Sequence, residues 1–375
     1  MAGALEGLRI VEMAGIGPCP LAGQMLADHG ADVVVIDRKS RRADPADVNA
    51  RSKRSIALDL KSRRGVAAAL AIVARADVLI EGYRPGVMEE MGLGPDVCLA
   101  ANPRLVYGRM TGWGQAGPLS ATAGHDLDYL ALSGALSAIG PRDGPPIPPL
   151  NLVADYGGGT MFLLFGVLAA LVERGRSGRG QVVDAAMVDG VPAMMGLIHS
   201  LLAKGLWRGG RASNLLDGGA PFYRCYATKD GRHLAVAPLE PKFFAELCER
   251  AGIDPGHKAD QYEAANWEER ADAYAALFRS RTRGEWMDIF AGSDACVAPV
   301  LGLDEVEDHP HNKARGTFTR VGGVLQAAPA PRFSRTPAAP PGAPAAAGGE
   351  GEAILREAGC SGDEIAALRR ERVLR

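Results

Sequence analysis

The sequence predicts an α/β chain: an open, mostly parallel sheet followed by a smaller α+β region. Three observations carry this. "LRIVEM" (8–13), "PLAGQMLADHG" (20–30) and "ADVVVID" (31–37) read as strand, helix and strand, a complete β-α-β unit. "ADVLIEG" (76–82) and "RLVYGRM" (104–110) are further apolar strand candidates, each behind a helical segment. After the glycine-rich "LLDGGAPFY" (215–223) the texture changes, and "RCYATKDGRHLAVAPL" (224–239) reads as an antiparallel hairpin turning at Lys229-Asp230-Gly231.

In chain order, Gly30 closes the first helix as a C-cap. "TMFLLFGVLAALV" (160–172) reads as a buried core helix, too short to span a bilayer. "QVVDAAMVDGVPAMMGLIHSLLAKGLW" (181–207) reads as a strand running into one long helix. Helices carrying Trp267 and Trp286 follow the hairpin. "QAAPAPRFSRTPAAPPGAPAAAGGE" (326–350) is too rich in proline for a helix and reads as an extended surface arm. Ser361 with Glu364 three residues on marks a capping box opening the last helix.

At 375 residues the chain has room for two or three domains of about 100–200 residues. A formal net charge of −2 argues against nucleic acid or an acidic membrane surface as partner. The six cysteines are scattered without a C-x-x-C pair, which fits a reducing compartment and no zinc site. The first residues lack a basic region leading into a long apolar stretch, and the chain ends in "RVLR", so neither a secretory nor a peroxisomal address is expected. A cytoplasmic protein is expected.

Several motifs allow chemistry. "AGIGPCPLAG" (14–23) offers G-x-G at Gly15 and Gly17, but Pro20 takes the third fingerprint position, and Arg38 directly follows Asp37, so dinucleotide binding is not supported. Basic residues cluster in "RKSRR" (38–42), "RSKR" (51–54) and "KSRR" (61–64). They read as a solvated surface or, lying after a strand's C-terminal end, as a phosphate-holding patch. In "AGHDLDYLALSG" (123–134), His125 precedes a helix with Asp126 and Asp128 in its first turn. A helix N-terminus favours a neutral imidazole and offers N–H groups to an oxyanion; a purely structural histidine is the alternative. Asp155 stands before Gly157-Gly158-Gly159, glycines that would let a ligand approach the backbone. Its other reading is an N-terminal charge on the next helix. Glu240, ending an apolar run, either caps a helix or faces a partner.

Together these segments resemble the α-methylacyl-CoA racemases, a branch of the class III CoA-transferase superfamily. The resemblance runs over almost the whole chain, through "VLIEGYRPGVMEEMGLGP", "RMTGWGQAGP", "PPLNLVADYGGGTMFLLFG", "GRGQVVDAAMVDG", "LEPKFF" and "DACVAPVL". It implies a Rossmann-like open-sheet large domain over 1–190, a linker helix over 191–221, and a small α+β domain over 222–315. A return linker, the proline-rich arm and a C-terminal helix packing on the large domain fill 316–375. It also implies an interlocked homodimer with a shared active site. The family's catalytic histidine and aspartate fall on His125 and Asp155, the supporting glutamate on Glu240, and a supporting role on Asp126. For CoA it implicates Arg38, Leu58, Asp59, Leu60 and Lys61, the loop Gly82, Tyr83, Arg84, Pro85, Gly86 and Val87, and Gly124, Leu127, Asp128 and Tyr129. Glu90 departs from relatives that carry a basic residue there.

The implied activity is racemisation of 2-methylacyl-CoA thioesters by proton transfer at C2. No metal and no separate cofactor is expected, since coenzyme A enters as part of the substrate, and neither nucleic acid nor membrane is an expected partner. His125 and Asp155 would carry protons on opposite faces, with the backbone N–H of Asp126 donating to the enolate. Met161, Met187, Met194 and Met195 are candidates for an adaptable acyl surface, and ordinary core packing accounts for each at least as well. Two alternatives stay open: a CoA-transferase using Asp155 as nucleophile, and a non-catalytic acyl-CoA binding protein.

Overall fold

The computed structural model describes residues 3–38 and 44–375. The chain divides into two units: Met1–Ser133 with Leu150–Met194 and Pro310–Arg375, and Gly134–Pro149 with Met195–His309. The segment Gly134–Pro149 thus groups with the second unit, inside the span read as one large domain from the sequence.

The first unit begins with β1 (Arg9–Met13), α1 (Pro18–Asp28) and β2 (Asp32–Arg38). Pro18 takes the first helical position, where a missing N–H costs nothing, and Gly30 follows the helix with φ 95°. β3 (Arg54–Leu58), α2 (Arg63–Val73), β4 (Val78–Glu81), α3 (Val87–Glu90), α4 (Pro95–Ala101) and β5 (Val106–Thr111) follow. Next come α5 (Asp126–Leu132), a π-helical turn Leu152–Thr160, α6 (Met161–Ser177), β6 (Val182–Ala186) and α7 (Met187–Met194).

The six strands form one sheet in the order β3-β2-β1-β4-β5-β6, every pair parallel. Both faces of such a sheet are covered, which explains the apolar runs Val33–Ile36 in β2 and Val78–Ile80 in β4. Val11, Met13, Val34, Ile36, Ile56, Leu58, Leu79 and Tyr107 pack on one face against α2 and the chain's C-terminal helices. Strand order reverses between β1 and β4, and in open α/β sheets ligands bind in the crevice outside the strands' carboxyl ends at such a point.

In the second unit α8 (Gly196–Ala203) is separate from α7, so the one long helix read after the strand within 181–207 is two helices. Pro192 lies inside α7, and the break comes at Met195, just before Gly196. Then come β7 (Arg224–Ala227), β8 (His233–Val236), α9 (Pro241–Ala251), α10 (Trp267–Phe278), α11 (Arg283–Phe290) and β9 (Val297–Val300). β7 and β8 form the expected hairpin, with Gly231 at φ 73° in its turn, and β9 completes an antiparallel sheet. Trp267 and Trp286 join Phe222, Phe244 and Phe278 in its core, their indole N–H groups donating to the carbonyls of Gln261 and Phe278.

The chain returns to the first unit through α12 (Pro310–Arg315) and a hairpin not read from the sequence, β10 (Phe318–Val321) and β11 (Val324–Ala327), turning at Gly322-Gly323. The proline-rich arm then lies against the sheet domain: Gly342 N–H donates to Ser52 Oγ at 2.8 Å and Gly348 N–H to Ser55 Oγ at 2.7 Å. α13 (Gly351–Glu357) and α14 (Gly362–Arg370) close the chain, the latter opened by the Ser361/Glu364 capping box.

Most of the middle of the basic cluster is spent on structure. Arg51 forks onto Asp28 at 3.0 and 2.6 Å and also donates to Gln326 and the Ala327 carbonyl. Lys53 pairs with Glu12 at 2.6 Å, and Arg54 with Asp32 and Glu357. Residues 39–43 of "RKSRR" lie outside the described residues. Removing Arg51 strands the buried Asp28 carboxylate, so Arg51→Ala should cost about 3–5 kcal/mol of stability in urea unfolding. A loss below about 1 kcal/mol would show the pair to be structurally idle.

Candidate active site

A cavity of about 520 Å³ opens at the switch point, a size suited to a small-molecule ligand. The loop after β1 supplies Ile16 and Gly17, the loop after β4 supplies Gly82, Tyr83, Arg84 and Pro85, and the end of β5 supplies Met110 to Trp113. Gly124, His125, Asp126, Tyr129, Asn151, Asp155 and Met187 also line it. The adjacent His125 and Asp126 and the distant Asp155 are therefore brought to one cavity.

His125 is the N-cap of α5, as its position before D-x-D led one to expect. Its N–H donates to Asp128 Oδ2 at 2.9 Å, which makes Asp128 a cap for the helix start. Tyr129 holds the same segment from below, its hydroxyl donating to the Gly124 carbonyl and its ring set edge-on to Trp113. This ring fits because residues 112 and 124 are glycines: a Cβ at Gly112 would lie 1.9 Å from Tyr129, and one at Gly124 2.6 Å.

Asp155 sits in the π-helical turn, a rare geometry that recurs at functional sites. The Asp126 carboxylate accepts both the Ala154 N–H at 3.0 Å and the Asp155 N–H at 2.7 Å. Asp126 thus ties the helix start beside His125 to the turn bearing Asp155. The Asp155 carboxylate is reached by Asn151 Nδ2 at 3.4 Å and lies 3.4 Å from where a Cβ on Gly17 would stand. Burial raises the Asp155 carboxyl above its usual range; Asn151 and His125 pull it down, and the like charge of Asp126 pushes it up.

The three glycines after Asp155 face protein. A Cβ on Gly158 would meet Val191 at 2.7 Å, and one on Gly190 would meet the Gly158 carbonyl at 1.9 Å. Here α7, not a ligand, makes the close approach expected at Gly157-Gly158-Gly159.

Among the residues implicated in CoA binding, Gly82, Tyr83, Arg84, Pro85, Gly124 and Tyr129 line the cavity. Arg38, exposed at the end of β2, lies against the Tyr83 hydroxyl. Leu58 is in the core, Leu60 packs against it, Asp59 accepts the Lys61 N–H, and Lys61 is exposed. Gly86 takes φ 90° to open α3, which contains Val87 and Glu90; Leu127 is exposed on α5. Met187 lines the cavity, whereas Met161 and Met194 are exposed elsewhere on their helices. Met195 and Glu240 belong to the second unit, where Glu240 is the exposed N-cap of α9 and its side chain caps nothing. Sequence reasoning missed Asn151, Ile16, Trp113 and Met110; only Asn151, four residues before Asp155, carried a usable signal.

Cys19, also in the wall, is buried with its thiol pushed well up, which argues against a thiolate nucleophile. No cluster of three or more metal-ligating side chains occurs among the described residues.

Residues 5–350 match the CoA-transferase family III, and the chain belongs to this family. It is 45% identical over 372 residues to the alpha-methylacyl-CoA racemase of Mus musculus, covering 99% of this chain and 97% of the mouse protein. It is 43% identical to the Homo sapiens alpha-methylacyl-CoA racemase over 373 residues, at 99% and 97% coverage. Among solved structures, a CAIB/BAIF family protein from Brucella suis superposes with a TM-score of 0.80 at 27% identity, covering 96% of this chain and all of that one.

Behind the cavity loop lies Glu81, fully buried, its carboxyl raised to about 7 chiefly by burial. The raised value means the folded protein holds a proton there that the unfolded chain releases above about pH 4.3. The stability from that proton is complete below about pH 4.3 and is lost as pH climbs through about 7. Glu81→Gln cannot ionise, so the variant's Tm should gain on that of the parent protein between about pH 5 and about pH 8. A Tm difference that stays constant with pH would contradict the assignment.

Proposed function

We propose that the protein is an α-methylacyl-CoA racemase, interconverting (R)- and (S)-2-methylacyl-CoA by moving one proton off C2 and another on. The observation that carries this is the meeting of His125 and Asp155 at one cavity, both fixed through Asp126. In one direction neutral His125 takes the C2 proton, the electron pair moves onto the thioester oxygen, and protonated Asp155 delivers a proton to the opposite face. The products are the epimer, an imidazolium and a carboxylate; in the other direction the roles reverse. The upward shift of Asp155 supports its service as an acid. The Asp126 N–H, at the start of α5, is the proposed donor to the enolate oxygen.

Arg38, Tyr83 and Arg84 stand at or beside the cavity where they would meet the CoA part. The thioester acidifies C2 unaided, so no further cofactor is proposed. Six free cysteines support a reducing, cytoplasmic setting. We also propose a homodimer in which Glu240 of one copy orients His125 of the other. The sequence resemblance supports this, and so does the apolar side of α6, where Phe165 is 74% and Val172 70% exposed. This helix is only half buried, unlike the core helix read from the sequence. With the π turn it makes a helical run Leu152–Ser177, long and apolar enough by length and composition to cross a membrane, which the reading of 160–172 undercounted. Asp155 in the middle of its first turns argues for a covering protein face over lipid.

The other reading, a CoA-transferase with Asp155 as nucleophile, is favoured by the family's name and by CoA-transferase relatives such as one from Chloroflexus aurantiacus at 30% identity, below the 43% and 45% of the racemases. In heavy water a single 2-methylacyl-CoA enantiomer should racemise and take up deuterium at C2 without an acceptor acid. His125→Ala and Asp155→Ala should each lower the rate about 10²–10⁴-fold, and Glu240→Gln less. CoA transfer to an added acid, tolerant of His125→Ala and free of C2 deuterium, would replace this reading with the transferase.

Arg38→Ala should weaken thioester binding by about 1.5–3 kcal/mol with kcat little changed. An unchanged KM would return Arg38 to the solvated surface. Light scattering that finds an active monomer would remove the shared site.

A further inference from the structure

Glu81, at the end of β4, does not line the cavity, yet it meets the loop that does. Its Oε2 accepts the Tyr83 N–H at 2.7 Å, and its Oε1 accepts from Arg109 Nε at 3.1 Å. Arg109 lies opposite it on β5, so register alone brings the two together. The same guanidinium forks onto Glu89 in α3 at 2.8 and 3.2 Å. One arginine therefore clamps both ends of the loop Gly82–Gly86: Glu81 before it and Glu89 after it. Between them, Tyr83, Arg84 and Pro85 line the cavity, and the Tyr83 hydroxyl donates to the Ala14 carbonyl at 2.8 Å, reaching the loop after β1.

We propose that Glu81 is a positioning residue for thioester binding: linked through Arg109 to Glu89, its carboxylate fixes the Tyr83 backbone and so the placement of Tyr83 and Arg84 toward the CoA part of the substrate. The ionised form, which prevails above about pH 7 where the assays are made, suits the position because two donors converge on its two oxygens. A glutamine offers one acceptor oxygen and turns an amide donor toward either Tyr83 N–H or Arg109, and one contact is lost. The loop then moves while His125, Asp126 and Asp155, held by separate hydrogen bonds, stay in place.

The inference rests on the reading of this cavity as the thioester site, and one set of measurements separates the two. Wild-type protein is first titrated with free CoA and assayed for C2 deuterium uptake; failure of both discards the site reading itself. With those in hand, Glu81→Gln should raise the KM for 2-methylacyl-CoA and the Kd for CoA by about tenfold, with kcat within about a factor of two. A role in folding alone would lower the melting temperature or the active fraction without moving KM or Kd. Glu89→Gln, at an exposed position, loosens the same guanidinium and should raise both constants by about two- to fivefold. It also keeps the test alive should Glu81→Gln fail to fold. KM and Kd unchanged in the folded variants, or a kcat that falls while KM holds, overturns the proposal.

Discussion

One carboxylate carries the geometry of the site. Asp126 accepts the N–H groups of Ala154 and Asp155, charge-assisted bonds that a neutral side chain could not replace at equal strength. Since Asp126 follows His125, the distance between the two proposed proton carriers is set by a single side chain and two short stretches of backbone. The π turn is held from its other end by Thr160, whose hydroxyl donates to the Pro18 carbonyl at the start of α1. The hydrogen bonds that place these two backbone segments do not use the Asp155 carboxylate, as the proposed proton exchange requires.

Around this joint the sheet domain spends its buried charges on frame. Glu12 and Lys53 pair beneath α1, and Gly23 makes room, because a Cβ there would lie 1.8 Å from Glu12 Oε2. In a dinucleotide fold the glycine of the first turn brings backbone to pyrophosphate. Here the close approach comes three residues beyond Pro20 and serves a side-chain ion pair. The strand order is that of the doubly wound dinucleotide folds, yet the crevice is furnished differently.

What the sequence disclosed and what it hid divide along a physical line. Local signals read true: the apolar runs of β1, β2 and β4, the hairpin at Asp230-Gly231, the helix start at His125, and the capping box at Ser361. Features that need a distant partner did not. The glycines after Asp155 face α7, Arg51 and Lys53 are bound to Asp28 and Glu12, and α6 buries one side only. The residues of the candidate pair came from family resemblance; position alone favoured a structural reading of His125 and left Asp155 similarly ambiguous. The hairpin over Phe318–Ala327 carried a Gly-Gly signal that the neighbouring proline-rich text obscured.

The state of Asp155 separates the two chemistries that this family frame can host. A nucleophile must be ionised when the acyl group arrives, whereas a proton carrier must be protonated for half of each cycle. Burial and the neighbouring Asp126 charge both push the Asp155 carboxyl upward, against the pull of Asn151 and His125. That balance eases the protonated half of the cycle, at some expense to a nucleophile. On the proposed reading, His125 adds what a transferase does not require, a second titratable group at the same cavity to take the proton that Asp155 does not. A thioester held with C2 between them would find an acid on one side and a base on the other, and reversal would need only that they exchange states.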